Sequence, residues 1–279
     1  MPRLPDGHID MQGIWKNSDL TPLERPKDIV GLEITTEEAA RLKAAYMATA
    51  ANTPEDPGRG LENRSFEPIR GRLRSSVIVT PTDGRIPWNE SFQDTPLALR
   101  RAVLTIFDDP ERRPAIERCL SSNGAPPMLA NADDNTYQFV QTRAVTVMVS
   151  EFIHDARLIR MNSTHSPPEV TSWLGDSIGW WEADTLVVET KYFAPSSSVR
   201  LNARYVFLVS PTTTVIERFR RVSNDEINYV FTVTDPTYYS SPWKGEAHFS
   251  RTRDRMFEMA CHEGNYSMRN ILEAARTHE

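Results

Sequence analysis

From Tyr137 onward, short runs in which β-branched and aromatic residues alternate with polar ones recur at hairpin-like intervals, separated by turn formers. The pattern predicts strands at 137–142, 145–152, 156–161, 184–192, 204–209, 213–220, 227–234, 245–251 and 255–261. Strands at such spacing form an antiparallel meander. A run of this length closes, or nearly closes, into a barrel, because closure removes the edges an open sheet must protect. The expected fold is mainly β (α+β), a lipocalin-like barrel preceded by an extended arm and two helices.

The first 135 residues have a different texture. Residues 1–34 are rich in Pro and Gly around one apolar pair, Ile14 and Trp15, and read as an extended arm lying on the body of the protein. Thr35-Thr36-Glu37-Glu38 reads as a helix start, with threonine oxygens for free amides and acids at the positive helix end; that helix should run to about Ala51. A short strand over 76–79 leads into the turn at 81–84. Leu97, Leu99, Val103, Leu104 and Phe107 fit a second helix, stopped by Asp108-Asp109-Pro110. Turn formers and paired prolines make 112–135 a loop crossing the β layer, and 267–275 reads as a short helix on the barrel rim. The division expected is 1–135 as arm, helices and crossover loop, and 136–279 as barrel with C-terminal helix, together one structural unit.

Composition narrows the partners. Thirty-two basic and 38 acidic residues are mixed along the chain, net charge −6, so no domain-sized basic surface exists for nucleic acid. No stretch approaches the apolar length of a membrane span and the N-terminus carries no signal-like segment, so the expected location is the cytoplasm. The two cysteines, Cys119 and Cys261, are far apart and in no CxxC spacing; a reducing compartment fits, and a single long-range disulfide stays open. Dinucleotide, P-loop and nucleophile-elbow motifs are absent, and no cofactor is expected.

Period-two sorting exposes candidate chemistry. In 145–153, Glu151 interrupts a face otherwise made by Val145, Val147, Val149 and Ile153, with Thr146, Met148, Ser150, Phe152 and His154 opposite. A carboxylate turned into a barrel must be paired or protonated, and its pKa then moves toward values useful for proton transfer, although a structural pair with Arg157 would look the same. Glu217 repeats the pattern beside Val215 and Phe219, with Arg218 and Arg220 on the other side. In 255–262, Glu258 and His262 share a face, a carboxylate and imidazole that suit acid–base work or a surface cluster. His154-Asp155 and His262-Glu263 offer metal-ligand types, but without a diagnostic spacing no metal is assigned. Trp180 and Trp181 in GDSIGWWEADTLVVET could stack on an aromatic ligand; on an extended chain only one can face inward. Trp173, Tyr238, Tyr239 and Trp243 add aromatic surface near strand ends.

The segments GDSIGWWEADTLVVET, EFIHDARLI, ERF at 217–219 and CHEGNYSMRNIL resemble those of a bacterial family of largely uncharacterised proteins, marked by GDSxGxWEGDTLVVET and HEGNY. SSVIVTPTDGRIP and NTYQFVQT extend the resemblance over most of the chain past residue 70. Many members look exported and open with a Gly-Ile-Trp segment. The family brings no established catalytic residues, and the meander separately resembles lipocalin or calycin-type barrels, which host carriers and enzymes alike.

Two functions follow as expectations. One is a cofactor-free acid–base enzyme, a lyase, dehydratase or isomerase, acting on a small apolar or aromatic molecule inside the barrel. His154 and Glu151 would transfer the proton, Arg157 or Tyr266 would steady developing negative charge, and Glu217 and His262 complete the catalytic candidates. Trp180, Trp181, Phe152, Trp243 and Tyr239 would hold the ligand. The other is a non-catalytic binding protein or carrier for a similar ligand. Neither involves nucleic acid or membrane, and the N-terminal arm could reach a second copy in a homo-oligomer.

Overall fold

The computed structural model describes residues 1–51, 64–95, 98, 107–122, 124–130, 135–195, 199–201 and 206–276. Among the described residues twelve strands are assigned: β1 (Gly13–Lys16), β2 (Ile78–Thr80), β3 (Thr136–Gln141), β4 (Val145–Ser150), β5 (Ala156–Met161), β6 (Asp176–Glu182), β7 (Thr185–Lys191), β8 (Val199–Leu201), β9 (Val206–Leu208), β10 (Thr214–Arg221), β11 (Glu226–Thr234) and β12 (Trp243–Arg251). The α-helices among the described residues include α1 (Thr36–Ala51) and α2 (Ser267–Arg276). The expected second helix around 95–107 falls almost entirely outside the described residues.

Nine strands close into a barrel in the order β1-β3-β4-β5-β6-β7-β10-β11-β12, with β12 returning to β1 and with β2 added along β12. The lipocalin-like meander is therefore present, with two features that the alternation of residues does not contain. First, the closing strand is the N-terminal arm. Trp15 pairs with Tyr137 on one side and Arg251 on the other, is fully buried, and donates its indole N–H to the Met11 carbonyl at 2.9 Å. Second, an odd number of strands cannot close with every neighbour antiparallel. One pair must be parallel, and it is β5–β6. Residues 162–175 supply the crossover of a dozen or so residues that parallel neighbours require.

Closure also explains where the predicted strands fail. Residues 255–261 are not a strand, because both edges of β12 are already taken by β11, β1 and β2, leaving no ladder for that segment to join. It runs as an exposed strap. The first half of the GDSIGWWEADTLVVET segment, ahead of the predicted strand at 184–192, is also a strand, forming with β7 a hairpin that turns at Ala183-Asp184. Gly175 opens it with φ +74°, where a side chain would lie 2.6 Å from Thr190 Cγ2. The predicted strand at 204–209 is observed as β9, which among the described residues pairs only with β8, outside the ten-stranded sheet. Val206, Phe207 and Leu208 are all buried, so both faces of β9 are packed, and the Tyr239 hydroxyl bridges the N–H and C=O of Leu208.

The lumen is filled. Phe139, Phe219, Tyr229 and Phe249 form a set of ring contacts with centroids 4.8–6.2 Å apart, and Phe231, Trp243 and Phe207 continue it toward one barrel end. Outside the wall, α1 starts with the reciprocal cap the threonines suggest: the Glu38 N–H donates to Thr35 Oγ1 at 3.2 Å, and the Thr35 N–H to Glu38 Oε2 at 2.8 Å. Its Ala39 and Leu42 join Leu20, Ile29, Ile34 and Phe66 in a second, smaller core. Among the described residues no helix is long and apolar enough to cross a membrane.

Candidate functional site

Alternation on β10 turns Glu217 into the barrel with Val215 and Phe219, while Arg218 and Arg220 face solvent. Its partner is Arg157, which alternation on β5 also turns inward. β6 and β7 lie between these strands, so the arginine spans the interior to reach the acid. Arg157 Nη2 donates to Glu217 Oε2 at 2.5 Å and Nη1 to Oε1 at 3.3 Å, both side chains essentially without solvent contact. The Tyr229 hydroxyl donates to Glu217 Oε1 at 2.8 Å and accepts the Met128 N–H at 2.9 Å, which ties the crossover loop to the pair. Burial first, then the charge and hydrogen bond of Glu217, push the Tyr229 phenol well above its ordinary value, so it stays protonated. Nothing in the sequence marked Tyr229 beyond its place on an apolar face between Ile227 and Phe231.

Among the described residues, Arg157 Nε and Ser150 Oγ are buried without a hydrogen-bond partner. Ser150 ends β4 on the inward face. Met148, two residues before it, pairs with Arg157, which places Ser150 and Arg157 as diagonal neighbours on adjacent strands, within reach of a long side chain.

Beside Arg157, strands β5 and β6 separate. β5 and β6 pair only at Ile159–Ser177, Arg160–Ile178 and Met161–Gly179. Before those residues they diverge around a slot of about 430 Å³. Leu158, Arg160 and Asp176 line it from the outer face, with the buried Arg157 and Ser177 beneath them. Trp173 and Leu120 form its apolar sides, with the Arg118 guanidinium over the Trp173 ring at 5.8 Å. Asp155 lines it too, and accepts the Ser122 N–H at 2.9 Å. At the slot edge, Asp176 is bonded by Arg160, His165 and Ser166. Burial pushes its carboxyl up, but these bonds outweigh burial and hold it far below the carboxylate range. Both His165 nitrogens are engaged, Nδ1 by Asp176 and Nε2 by Glu189 at 2.9 Å.

The acid–base candidates are placed differently from what strand alternation implies. β4 ends at Ser150, and its buried face is Thr146, Met148 and Ser150; the valine face is the half-exposed outer one. Glu151 is buried because the chain turns there. Its Oε1 accepts the Phe257 N–H of the strap at 2.6 Å. Ile153 and His154 follow in left-handed conformations, and exposed His154 contacts the Met259 carbonyl through Nδ1 at 3.2 Å. Glu151 and His154 thus both meet the strap, while Arg157 faces the other way, to Glu217. Phe152 is half-buried in the same turn. Glu258 and His262 lie on the exposed strap, and Tyr266 is 69% exposed before α2.

The aromatic candidates do not converge either. Trp181 packs against the core and stacks on His8 with centroids 4.8 Å apart. Trp180, on the outer face, donates its N–H to Glu182 at 3.1 Å. Trp243 and Tyr239 are buried together at the barrel end, 5.9 Å apart. The cysteines that the sequence left open form a disulfide, Cys119–Cys261, joining the crossover loop to the strap. Among the described residues, no group of three or more His, Cys, Asp or Glu side chains is arranged to hold a metal. The closed nine-strand barrel is consistent with a lipocalin-like architecture. No protein-family model, curated protein or solved structure matches the chain.

Proposed function

We propose that this protein binds a small apolar or aromatic molecule without transforming it, and that the site is the slot between β5 and β6 rather than the lumen. The observation that carries this is the slot itself: apolar sides from Trp173, Leu120 and Leu158 stand beside polar Asp155, Arg160 and Asp176, the mixed lining typical of small-molecule sites. The lumen, by contrast, is packed with aromatic rings. The acid–base residues are bonded to the strap instead of to one another. The Cys119–Cys261 bond supports an oxidising compartment over the cytoplasm, in keeping with the exported members of the bacterial family that the motifs resemble.

The test is titration of the purified protein with small aromatic compounds, followed by calorimetry and by recovery of the compound. Saturable binding that Trp173→Ala weakens about tenfold or more, with the compound recovered unchanged, is the expected result. Recovery of a changed compound, abolished by Glu151→Gln or His154→Ala, would instead establish the acid–base enzyme. Binding indifferent to Trp173→Ala would remove the slot as the site.

A further inference from the structure

Resting on the slot as a site, we infer that it also takes an extended peptide, which adds as a strand along the open edge of β5 at Ala156–Leu158 and lays an apolar side chain against Trp173. Two observations lead there.

The first is where the backbone groups of β5 point. Antiparallel neighbours bond through every second residue of each strand. The Ser150 N–H donates to the Asp155 carbonyl at 2.8 Å and the Met161 N–H to the Ala144 carbonyl at 2.9 Å, so Asp155, Arg157, Ile159 and Met161 turn their backbone groups toward β4. Ala156, Leu158 and Arg160 turn theirs to the other side, where β6 joins only from the Ile159–Ser177 pair onward. Among the described residues, the Ala156 N–H and C=O and the Leu158 N–H have no hydrogen-bond partner. Both residues are exposed and line the slot, so these groups stand open on it. A row of unpaired strand groups is a template for pairing with another chain, and barrels abolish it by closure. Over Ala156–Leu158 closure stops short.

The second is the opposite wall. Residues 172–177 form it, and its backbone is already engaged at the turn: the Gly175 N–H donates to the Ser172 carbonyl at 3.2 Å, and Ser172 Oγ to the Gly175 carbonyl at 2.9 Å. This wall offers apolar surface, the Trp173 ring with Leu120 beside it. Backbone bonds from one wall and side-chain contact from the other are the division of labour in strand addition, where the main chain gives affinity and alternate side chains give selectivity. The direction favoured is antiparallel to β5, the more stable pairing. Arg160 on the rim is bonded to Asp176, so the lining does not call for a charged peptide.

The probe is the blocked pentapeptide acetyl-Thr-Thr-Phe-Thr-Thr-amide, with two N-methylated forms, one methylated on its even residues and one on its odd residues. Successive residues of a strand present their N–H groups to opposite edges, and only one edge can face β5. In calorimetry one methylated form should bind at least about tenfold more weakly than the parent peptide, the order of one or more lost backbone hydrogen bonds, and the other within about twofold of it. With peptide at about ten times its Kd, hydrogen exchange at the Ala156 and Leu158 amides should slow about tenfold, while the Arg157 amide, already turned to β4, is unchanged. Methylation that costs the same on both edges, or exchange at Ala156 and Leu158 unaltered by bound peptide, overturns the inference. So does a peptide that fails to bind while benzyl alcohol binds and Trp173→Ala weakens it; the slot then stands as a small-molecule site. If neither compound binds, the site itself falls and the inference with it.

Discussion

Replacing Cys119 and Cys261 by serine removes the one covalent tie between the crossover loop and the strap. The bond spans 142 residues, for which the chain-entropy relation gives about 5 kcal/mol of stabilisation at room temperature through the unfolded state. The native side returns part of this. Phe257 is 70% exposed, and the strap is otherwise held by its N–H to Glu151 and by the Met259 carbonyl on His154, so without the disulfide the strap can lift and regain backbone entropy while the barrel stays folded. The expected net loss is about 3–5 kcal/mol, or roughly 5–9 °C in melting temperature for a chain of this length. Urea unfolding of the double variant against the oxidised protein measures it, with thiol titration confirming that the oxidised form has none free. The variant should also show a larger m value, because its unfolded chain is no longer cross-linked. A loss below about 1 kcal/mol with an unchanged m value would refute the loop-closure reasoning.

Three further outcomes are expected. Glu217→Gln should cost about 3–5 kcal/mol because it leaves the buried Arg157 charge uncompensated, whereas Arg157→Met with Glu217→Leu should cost less than the single change; a double variant as unstable as the sum of both singles would contradict this. Gly245→Ala would push a methyl into the Phe231 ring, an overpacking cost of about 1–3 kcal/mol, which Phe231→Leu in the same chain should partly relieve in a urea midpoint. The third concerns pH. Burial pulls His248 down, but its 2.6 Å bond to Glu67 and the charges of Asp19, Glu67 and Glu226 outweigh burial and raise it; the same bond lowers Glu67, while burial raises Asp19. The His248 contribution is therefore full below the ordinary histidine value of about 6.5 and fades as pH rises through the raised one, while that of Glu67 is lost only as pH falls through its lowered value. Asp19 works against folding as it ionises, a cost that begins as pH rises through its ordinary value of 3.8. His248→Gln should accordingly be destabilising at pH 6 and approach the parent as pH climbs above neutrality; a gap constant across that range would sink the assignment.

What the sequence by itself determined was local. Alternation set the inward face of β10, and so the burial of Glu217 and the exposure of Arg218, because side-chain direction in a strand depends only on parity. Thr35 and Glu38 set the start of α1 within four residues, and the two-tryptophan rule held on β6, with Trp181 in and Trp180 out. What only the tertiary structure decided was pairing. Nothing near Ile14-Trp15 says that it will become the strand closing a barrel begun more than a hundred residues later, and that closure is what denied 255–261 a partner. The same holds for the valines of β4, whose face is outward because Met148 sits between Phe139 and Arg157 on the neighbouring strands. The slot is the furthest from the sequence. It exists because a nine-strand ring must contain one parallel pair, and the ends of that pair diverge beside Arg157, a consequence of how many strands close the barrel rather than of any residue's own preference.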